Sequence, residues 1–242
     1  MNPKRRIQIV PVMMRTGRPV TLTPDGAAIF NRKGEASWEC SLREVTGKGI
    51  FVAACARSGT LYITKVLRAL GYNIGHEIFD TDGSVGYHLA VIKPDRCLHQ
   101  VRHPLKQISS MFDHQAWGFM DYAAKITSHS LLGCMQYWLQ WNELLEEFCV
   151  WRYQLEQFDS VWNEFLDRID HPYEPLPDVS RSINSRHANS ALKLLREIHN
   201  FDWTDLFECD DELAYKILLK AEQYGYAVPI PGELETAQVA QA

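Results

Sequence analysis

Residues 50–71 read IFVAACARSGTLYITKVLRALG, and this stretch decides the fold that we predict for the chain. Its first five residues are an apolar run of the length and composition of a buried strand in a parallel sheet. Small or polar residues follow at 56–59, and apolar residues then recur at helical spacing until Gly71, where a helix is expected to end. A strand, a tight turn and a helix in this order leave the first N–H groups of the helix unpaired. Such groups bind anions, so we expect an anion over residues 58–61.

The length and composition are those of an ordinary globular protein. With 242 residues the chain can bury one substantial core, and 46% of its residues are hydrophobic and 23% charged. Its net charge of −5 disfavours a strongly basic nucleic-acid-binding protein, so we expect no nucleic acid among its partners. No apolar run reaches membrane-spanning length, and we therefore predict no integral membrane segment and a cytoplasmic location. The six cysteines include no CxxC pair, which favours buried thiols in a reducing compartment over a zinc site.

Strand-like and helix-like segments alternate along most of the chain. Beyond the opening unit, the patterns predict strands at 90–93, 97–101 and 150–155 and helices at 130–148, 160–168, 191–198 and 211–224. Asp159 is expected to cap the helix at 160–168, and residues 81–87, with two glycines, are predicted to form a loop. The alternation favours an α/β fold, a three-layer αβα sandwich with a mainly parallel central sheet.

We predict a single folded domain, residues 48–228, with an extension at each end. Residues 7–10 and 20–23 could pair as a β-hairpin within an N-terminal extension at 1–47, and Asp25-Gly26 could form a second turn there. The proline-containing stretch 170–190 is predicted to be a flexible loop, and residues 229–242 a C-terminal tail.

The loop after the first strand lacks the residues that a magnesium-nucleotide site requires. In P-loop NTPases the sequence G-x-x-x-x-G-K-[ST] supplies a lysine to the phosphates and a hydroxyl to the magnesium ion. Alignment on Gly59 puts Thr60 at the lysine position and Leu61 at the hydroxyl position, and leucine cannot ligate a metal. We therefore expect a nucleotide whose terminal group is neutralised by a protein cation, without a metal. The predicted binding residues of this loop are Arg57, Ser58, Gly59, Thr60 and Leu61.

Two segments together resemble the sulfotransferases, of the bacterial and viral type, that use 3′-phosphoadenosine-5′-phosphosulfate (PAPS). ARSGTLYITKVLRALG is similar to the 5′-phosphosulfate loop of this family, in which a basic residue precedes Ser-Gly-Thr, although relatives often carry a second threonine where this chain has Leu61. VRHPLKQISSM, residues 101–111, is similar to the 3′-phosphate segment, in which an arginine precedes a serine by eight positions, as Arg102 precedes Ser110. The resemblance implies a P-loop-like fold of the sulfotransferase and nucleoside-kinase type. It also implies PAPS as the sulfuryl donor, and no metal.

The pair of Arg102 and Ser110 also has a physical rationale. PAPS carries a phosphate on its 3′ oxygen that ATP lacks, so its recognition needs a second anion site. A guanidinium and a hydroxyl suit a phosphate because they donate charge-assisted hydrogen bonds. The alternative interpretation is a surface salt bridge for Arg102 and an ordinary helix serine for Ser110.

The segment Gly75-His76-Glu77 is the third element of the resemblance. It is similar to the segment after the first helix in which several sulfotransferases place an acidic catalytic base, which implies that role for Glu77. Transfer requires such a base because the acceptor must lose a proton as it attacks sulfur. His76 is the second candidate for the base, and a turn with a solvated glutamate is the alternative interpretation. Arg57 would stabilise charge on the departing phosphate, and is for that reason also a predicted catalytic residue.

The resemblance implies a metal-independent sulfotransferase that moves a sulfuryl group from PAPS to a hydroxyl or amine by in-line displacement. The expected partners are this nucleotide donor and an acceptor that could be a carbohydrate, a lipid or a small metabolite. Residues 81–87 and 170–190 are predicted to form walls on the acceptor side. The alternative functions are a non-catalytic nucleotide-binding or structural protein on the same fold and, less well supported, a P-loop kinase or NTPase.

Overall fold

The computed structural model describes residues 20–23, 26–30, 36–41, 49–77, 79–113, 130–181 and 198–229. The predicted strands at 97–101 and 150–155 and the helices at 130–148 and 211–224 are confirmed to within a few residues, whereas residues 7–10 and 191–197 lie outside the described ranges. In chain order the elements are β1 (Val20–Thr23), β2 (Gly26–Phe30), β3 (Ala36–Ser41), β4 (Ile50–Ala54), α1 (Thr60–Ala69), β5 (Ile74–His76), β6 (Gly83–Gly86), α2 (Leu89–Ile92), β7 (Leu98–Val101), α3 (Pro104–Asp113), α4 (Leu131–Glu146), β8 (Trp151–Gln154), α5 (Trp162–Arg168), α6 (Trp203–Cys209) and α7 (Asp211–Gln223).

The first three strands form a small antiparallel sheet in the order β1-β2-β3. Thr23 pairs with Gly26 in the antiparallel register of β1 and β2, and Asp25 of the predicted turn lies outside the described ranges. The predicted partner of residues 20–23, at 7–10, is not among the described residues.

The main sheet contains five parallel strands in the order β5-β6-β4-β7-β8. β4, the strand of the opening sequence, lies at its centre between β6 and β7. All five residues of β4 are buried, because a parallel sheet is covered on both faces. The α/β class and the parallel sheet are therefore as predicted.

Helices cover both faces of this sheet. Phe51 and Ala53 of β4 belong to one hydrophobic core, which they share with residues of α4 and α7. Ile50 and Val52 point the other way, because side chains alternate along a strand, and belong to a second core with residues of α1 and α5. This arrangement is compatible with the predicted three-layer αβα sandwich.

The predicted loop at 81–87 is wrong, because Gly83–Gly86 forms β6. This strand pairs with β4 on one side and with β5 on the other, and all four of its residues are buried. Its two glycines are typical of a turn in isolation, but here Gly83 lets the backbone of Ile50 approach closely within the sheet, and Gly86 leaves room for neighbouring side chains.

The predicted strand at 90–93 is also wrong, because these residues form most of the short helix α2. The N–H of Lys93 donates to the carbonyl of Leu89 at 2.8 Å, and Lys93 ends the helix with a φ of 48°. A run of four apolar residues can be buried equally well in a helical turn, and β4 already has neighbours on both sides.

The region between β8 and α7 departs from prediction at two further points. α5 begins at Trp162 and is not capped by Asp159, which instead forms an ion pair with Arg181. α6 was not predicted, although Asp202 and Asp205 form a capping box at its start.

Two further predictions concern cysteines and membranes. Cys55, Cys97 and Cys134 are buried free thiols, as predicted, whereas Cys209 is exposed. Across the described ranges, every helix is too short or too polar to cross a membrane.

Glu146, the last residue of α4, joins this helix to β8 and α7. Its carboxylate accepts hydrogen bonds from Arg152 Nη1 at 3.1 Å and from Lys220 Nζ at 2.9 Å. Burial raises the pKa of Glu146, but the hydrogen bond and charge of Lys220 and the charge of Arg152 outweigh burial, so its pKa is lowered. A carboxylate with a lowered pKa stabilises the fold wherever it is ionised in both states.

We expect Glu146→Gln to lower the free energy of unfolding by about 2 kcal/mol at neutral pH, because two cations lose a partly buried partner. The folded-state pKa lies below the unfolded-state value of about 4.3. The difference in stability between the wild type and Glu146→Gln is therefore complete above that value and disappears as pH falls through the folded-state pKa. Urea unfolding of both proteins between about pH 7 and about pH 3 measures this difference.

The control is Glu212→Gln, which removes an exposed ion pair with Lys216 inside α7. It should cost less than about 0.5 kcal/mol. Equal losses in the two variants would contradict the role assigned to Glu146.

Candidate active site

The candidate site lies at the carboxyl end of the parallel sheet. From the central strand β4 the chain passes through α1 to β5, which lies toward one edge of the sheet. From β6 it then crosses through α2 to β7, which lies on the opposite side of β4. In open α/β sheets ligands bind outside the carboxyl ends of the strands at the point where connections diverge in this way. Here that point is the loop of residues 55–59, which joins β4 to α1.

This loop and the first turn of α1 can bind an anion through their backbone. Arg57 and Gly59 have positive φ angles of 65° and 91°. α1 begins at Thr60 without a side-chain cap, which leaves its first N–H groups for a ligand. Ser58 is fully buried, and its Oγ has no hydrogen-bond partner among the described residues. Leu61, the second residue of α1, contributes only its backbone to such a site.

Arg57, Arg102 and Ser110 come together at this loop. Arg57 Nε donates to Ser110 Oγ at 3.3 Å, and Arg102 Nη1 donates to the carbonyl oxygen of Arg57 at 2.8 Å. Ser110 is buried within α3, and Arg102 directly follows β7. The residues predicted for the two phosphate groups therefore lie in contact with each other, and Arg57 contacts both Arg102 and Ser110.

His76, the last residue of β5, lies against the first turn of α1. Its Nε2 is 3.0 Å from Thr60 Oγ1. Burial, followed by the charges of Arg68 and Arg57, lowers the pKa of His76 to about 4. The imidazole is therefore neutral near pH 7 and is a weak base.

Glu77 directly follows β5 in an unusual backbone conformation. Its φ is 59°, which is unfavourable for a residue with a Cβ, and its N–H donates to the carbonyl of Val85 at 2.8 Å. Its carboxylate lies 3.9 Å from His76 Nε2. Burial raises the pKa of Glu77, and the charge of Arg57 counteracts part of this rise. Glu77 is therefore a stronger base than an ordinary glutamate and lies within the electrostatic reach of Arg57.

The structure adds His88, which the sequence analysis missed. This residue follows β6 at the same edge of the sheet, is buried, and its Nε2 lies 2.9 Å from Ser84 Oγ. Burial, and then the proximity of His76, lowers its pKa to about 3. A Cβ placed on Gly86 would lie 2.8 Å from His88 Nδ1 and 3.0 Å from Glu77 Cγ, so glycine is needed where these side chains approach. A strand assignment at 83–86 would have placed a histidine beside the site, but the predicted loop concealed it.

The two segments predicted to wall the acceptor side differ in structure. Residues 81–87 contain the buried strand β6, whose last residue, Gly86, lies beside Glu77. Residues 171–180, by contrast, form neither helix nor strand, and Leu176 and Val179 pack against the core shared by α1 and α5. At the end of this segment the guanidinium of Arg181 lies 5.6 Å from the ring centroid of Tyr62, in the first turn of α1. Residues 182–190 lie outside the described ranges.

Comparisons with protein-family models, with curated proteins and with solved structures find no match to this chain. Within the described ranges, no group of three or more His, Cys, Asp or Glu side chains is arranged to hold a metal ion. The function is therefore inferred from the geometry of the site.

Proposed function

We propose that this protein is a sulfotransferase that moves the sulfuryl group of PAPS to a hydroxyl or amine acceptor. The position of Arg57 is the observation that carries the proposal. This residue belongs to the anion-binding loop, contacts Ser110, and acts electrostatically on Glu77. One cation thus contacts a residue proposed for the second anion subsite and also acts on a carboxylate of raised pKa. Sulfuryl transfer from a nucleotide with two anionic groups needs this combination.

The two adjoining subsites suit a nucleotide that carries anionic groups at both its 5′ and 3′ positions. Arg57 and the N–H groups of residues 58–61 would hold the 5′-phosphosulfate, and Arg102 and Ser110 would hold the 3′-phosphate. A guanidinium has five N–H donors, so Arg102 can bond to the carbonyl of Arg57 and to a phosphate at once. This assignment also makes the strand–loop–helix unit P-loop-like, as the sequence resemblance implies.

Glu77 is the proposed base of the reaction. Its carboxylate would accept the proton of the acceptor as the acceptor atom bonds to sulfur and the bond from sulfur to the phosphate oxygen breaks on the opposite side. Arg57 and the first N–H groups of α1 would stabilise the negative charge that develops on that oxygen. PAPS, when bound, supplies the sulfuryl group and the departing phosphate. The raised pKa of Glu77 favours it over His76, whose pKa of about 4 makes it a weaker base than an ordinary imidazole.

A magnesium-dependent kinase or NTPase is less consistent with the side chains of the loop. Thr60 Oγ1 is paired with His76, and Leu61 offers no oxygen at the position of the magnesium hydroxyl. A non-catalytic nucleotide-binding protein would keep the same loop but would not need a base at Glu77.

Adenosine 3′,5′-bisphosphate, the product nucleotide, is expected to stabilise the protein with or without magnesium. At about one hundred times its Kd, a ligand of the native state adds about 2.7 kcal/mol, which should raise Tm by about 5–10 °C. Thermal unfolding with the bisphosphate, with adenosine 5′-phosphate and with magnesium-ATP measures the preference, and the bisphosphate should stabilise most. Equal or greater stabilisation by magnesium-ATP would refute the sulfotransferase proposal.

Arg102→Ala tests the second subsite in the same assay. Because Arg102 also holds the carbonyl of Arg57, both adenosine ligands should bind more weakly to the variant. The ratio of their affinities isolates the 3′-phosphate, and the preference for the bisphosphate should largely disappear. Arg96→Ala, which removes an exposed arginine paired with Asp170, is the matched control and should keep the preference.

A further inference from the structure

Four successive carbonyl groups of the anion-binding loop are held by side chains from a single stretch of the chain. Gln107 Nε2 donates to the carbonyl oxygens of Cys55 at 3.2 Å and of Ala56 at 2.7 Å. Gln100 Nε2 donates to the carbonyl oxygen of Ser58 at 2.6 Å. Arg102 Nη1 donates to the carbonyl oxygen of Arg57, which lies between Ala56 and Ser58. Gln100 belongs to β7, Arg102 directly follows that strand, and Gln107 lies in the first half of α3.

This bonding sets the direction of the loop N–H groups. The peptide unit is planar and trans, so each N–H points away from the carbonyl oxygen of the preceding residue. When the carbonyls of residues 55–58 are bound to β7 and α3, the N–H groups of residues 56–59 are directed away from those partners. An anion is bound by N–H groups and repelled by carbonyl oxygens, so this orientation determines whether the loop is an anion site.

The orientation of each glutamine side chain is fixed in turn by a hydrogen bond from an aromatic residue. Trp138 Nε1 donates to Gln107 Oε1 at 3.1 Å, and the hydroxyl of Tyr153 donates to Gln100 Oε1 at 2.8 Å. The indole N–H can only donate, so the oxygen of Gln107 must face Trp138 and its NH₂ group must face the loop. Both glutamines are fully buried. A reversed amide would therefore place an oxygen against a carbonyl oxygen without water to separate them.

We infer that Gln100 and Gln107 are positioning residues of the anion site. They hold the loop carbonyls on the side of β7 and α3, and Tyr153 and Trp138 hold the glutamines, so that the backbone N–H groups are presented to the ligand in advance. The inference rests on the proposed function for the identity of the nucleotide, but it extends to any tetrahedral anion bound by the loop. Preorganised donors bind more tightly because they need not be ordered when the ligand arrives.

The test replaces each glutamine by methionine, which has a similar length and no hydrogen-bond donor. The probes are inorganic sulfate and adenosine 3′,5′-bisphosphate, whose affinities are measured by isothermal titration calorimetry on the full chain. Gln100→Met and Gln107→Met are each expected to weaken both ligands by about tenfold or more, because freed carbonyls can turn toward the anion. Backbone amide NMR signals of residues 58–61 should shift on addition of sulfate to the wild type, and shift less in the variants.

Asn142→Leu is the matched control. Asn142 is also a buried amide, bonded to His99 and to the carbonyl of Trp138, but it makes no hydrogen bond to the loop. The Asn142→Leu variant should lose about as much stability as the glutamine variants while keeping the wild-type affinity for sulfate. Tyr153→Phe removes only one hydroxyl, is expected to fold even where Gln100→Met does not, and should weaken sulfate binding by about threefold.

The outcomes separate this inference from the proposed function. Wild-type protein that binds sulfate but shows no preference for the bisphosphate would overturn the sulfotransferase proposal and leave the positioning role intact, provided that the glutamine variants lose sulfate affinity. Folded glutamine and Tyr153→Phe variants with wild-type sulfate affinity would overturn the positioning role. Absence of sulfate-dependent shifts at residues 58–61 in the wild type would overturn it as well.

Discussion

Glu77→Gln is expected to lower the turnover of sulfuryl transfer by about 100- to 10,000-fold and to leave the affinity for adenosine 3′,5′-bisphosphate unchanged. Glutamine keeps the shape of the side chain but cannot accept the acceptor's proton. The side chain of Glu77 is 40% exposed, so the fold should tolerate the change. The neighbouring His76 is a poor substitute, because its pKa is lowered to about 4.

Turnover is measured as transfer of radioactive sulfur from PAPS to a simple phenol and to a primary alkylamine, over a range of pH. Only the ionised carboxylate accepts a proton, so wild-type turnover should fall as pH decreases through the raised pKa of Glu77. This acidic limb should be missing from the residual turnover of Glu77→Gln. If turnover of Glu77→Gln still fell with decreasing pH, the fall would be due to a group other than Glu77.

The controls separate a base from a structural carboxylate. Glu147→Gln removes an exposed carboxylate that is paired with Lys93 outside the candidate site, and it should retain full turnover. If Glu77→Gln kept its turnover and His76→Asn lost it, the role of base would pass to His76. Wild-type protein that binds the bisphosphate but transfers sulfur to neither acceptor would favour the non-catalytic alternative.

The features predicted correctly from sequence are those whose signals are local. The strand at 50–54, the loop and the helix α1 each follow from an apolar run, a glycine and a helical period within one short stretch. α4 and α7 are long enough for their periodicity to be unambiguous. In each case the local preference and the tertiary environment agree.

The features that were missed depend on pairing with distant residues. β6, with the sequence Gly-Ser-Val-Gly, has little intrinsic strand preference and is a strand because β4 and β5 flank it. α2 is as apolar as a strand, but the positions beside β4 are already occupied. Secondary-structure propensity depends on the segment alone, whereas the structure of these two segments is determined by the strands that neighbour them.

The same distinction holds for the candidate site. Arg57, Thr60, His76 and Glu77 could be proposed from sequence because each lies next to the end of a strand or the start of a helix. The hydrogen bonds of these residues could not be predicted in the same way, since the bond from Arg57 to Ser110 joins residues 53 positions apart. The contacts of His88, Gln100 and Gln107 form only when β6 and β7 lie on either side of β4, which no single-segment pattern indicates.

Gly83→Ala is expected to be the most destabilising single-methyl change in the described sheet. Gly83 lies between Ile50 of β4 and Ile74 of β5, with a φ of 134°. A Cβ at this position would lie 2.0 Å from the carbonyl oxygen of Ile50 and 2.7 Å from its nitrogen. These are backbone atoms of the central strand, so the clash cannot be relieved by rotating a side chain.

The expected loss in the free energy of unfolding is at least about 3 kcal/mol, a large part of the total stability of a typical domain. Gly71→Ala is the matched control, because Gly71 also has a positive φ, of 91°, but a Cβ there would have no neighbour within 4 Å. It should cost only about 1 kcal/mol, for the left-handed backbone alone. Urea unfolding of the two variants therefore separates strain in one residue from a clash between strands. Equal losses would mean that β6 does not lie against β4, and the positions of Gly86 and His88 beside Glu77 would then have to be abandoned too.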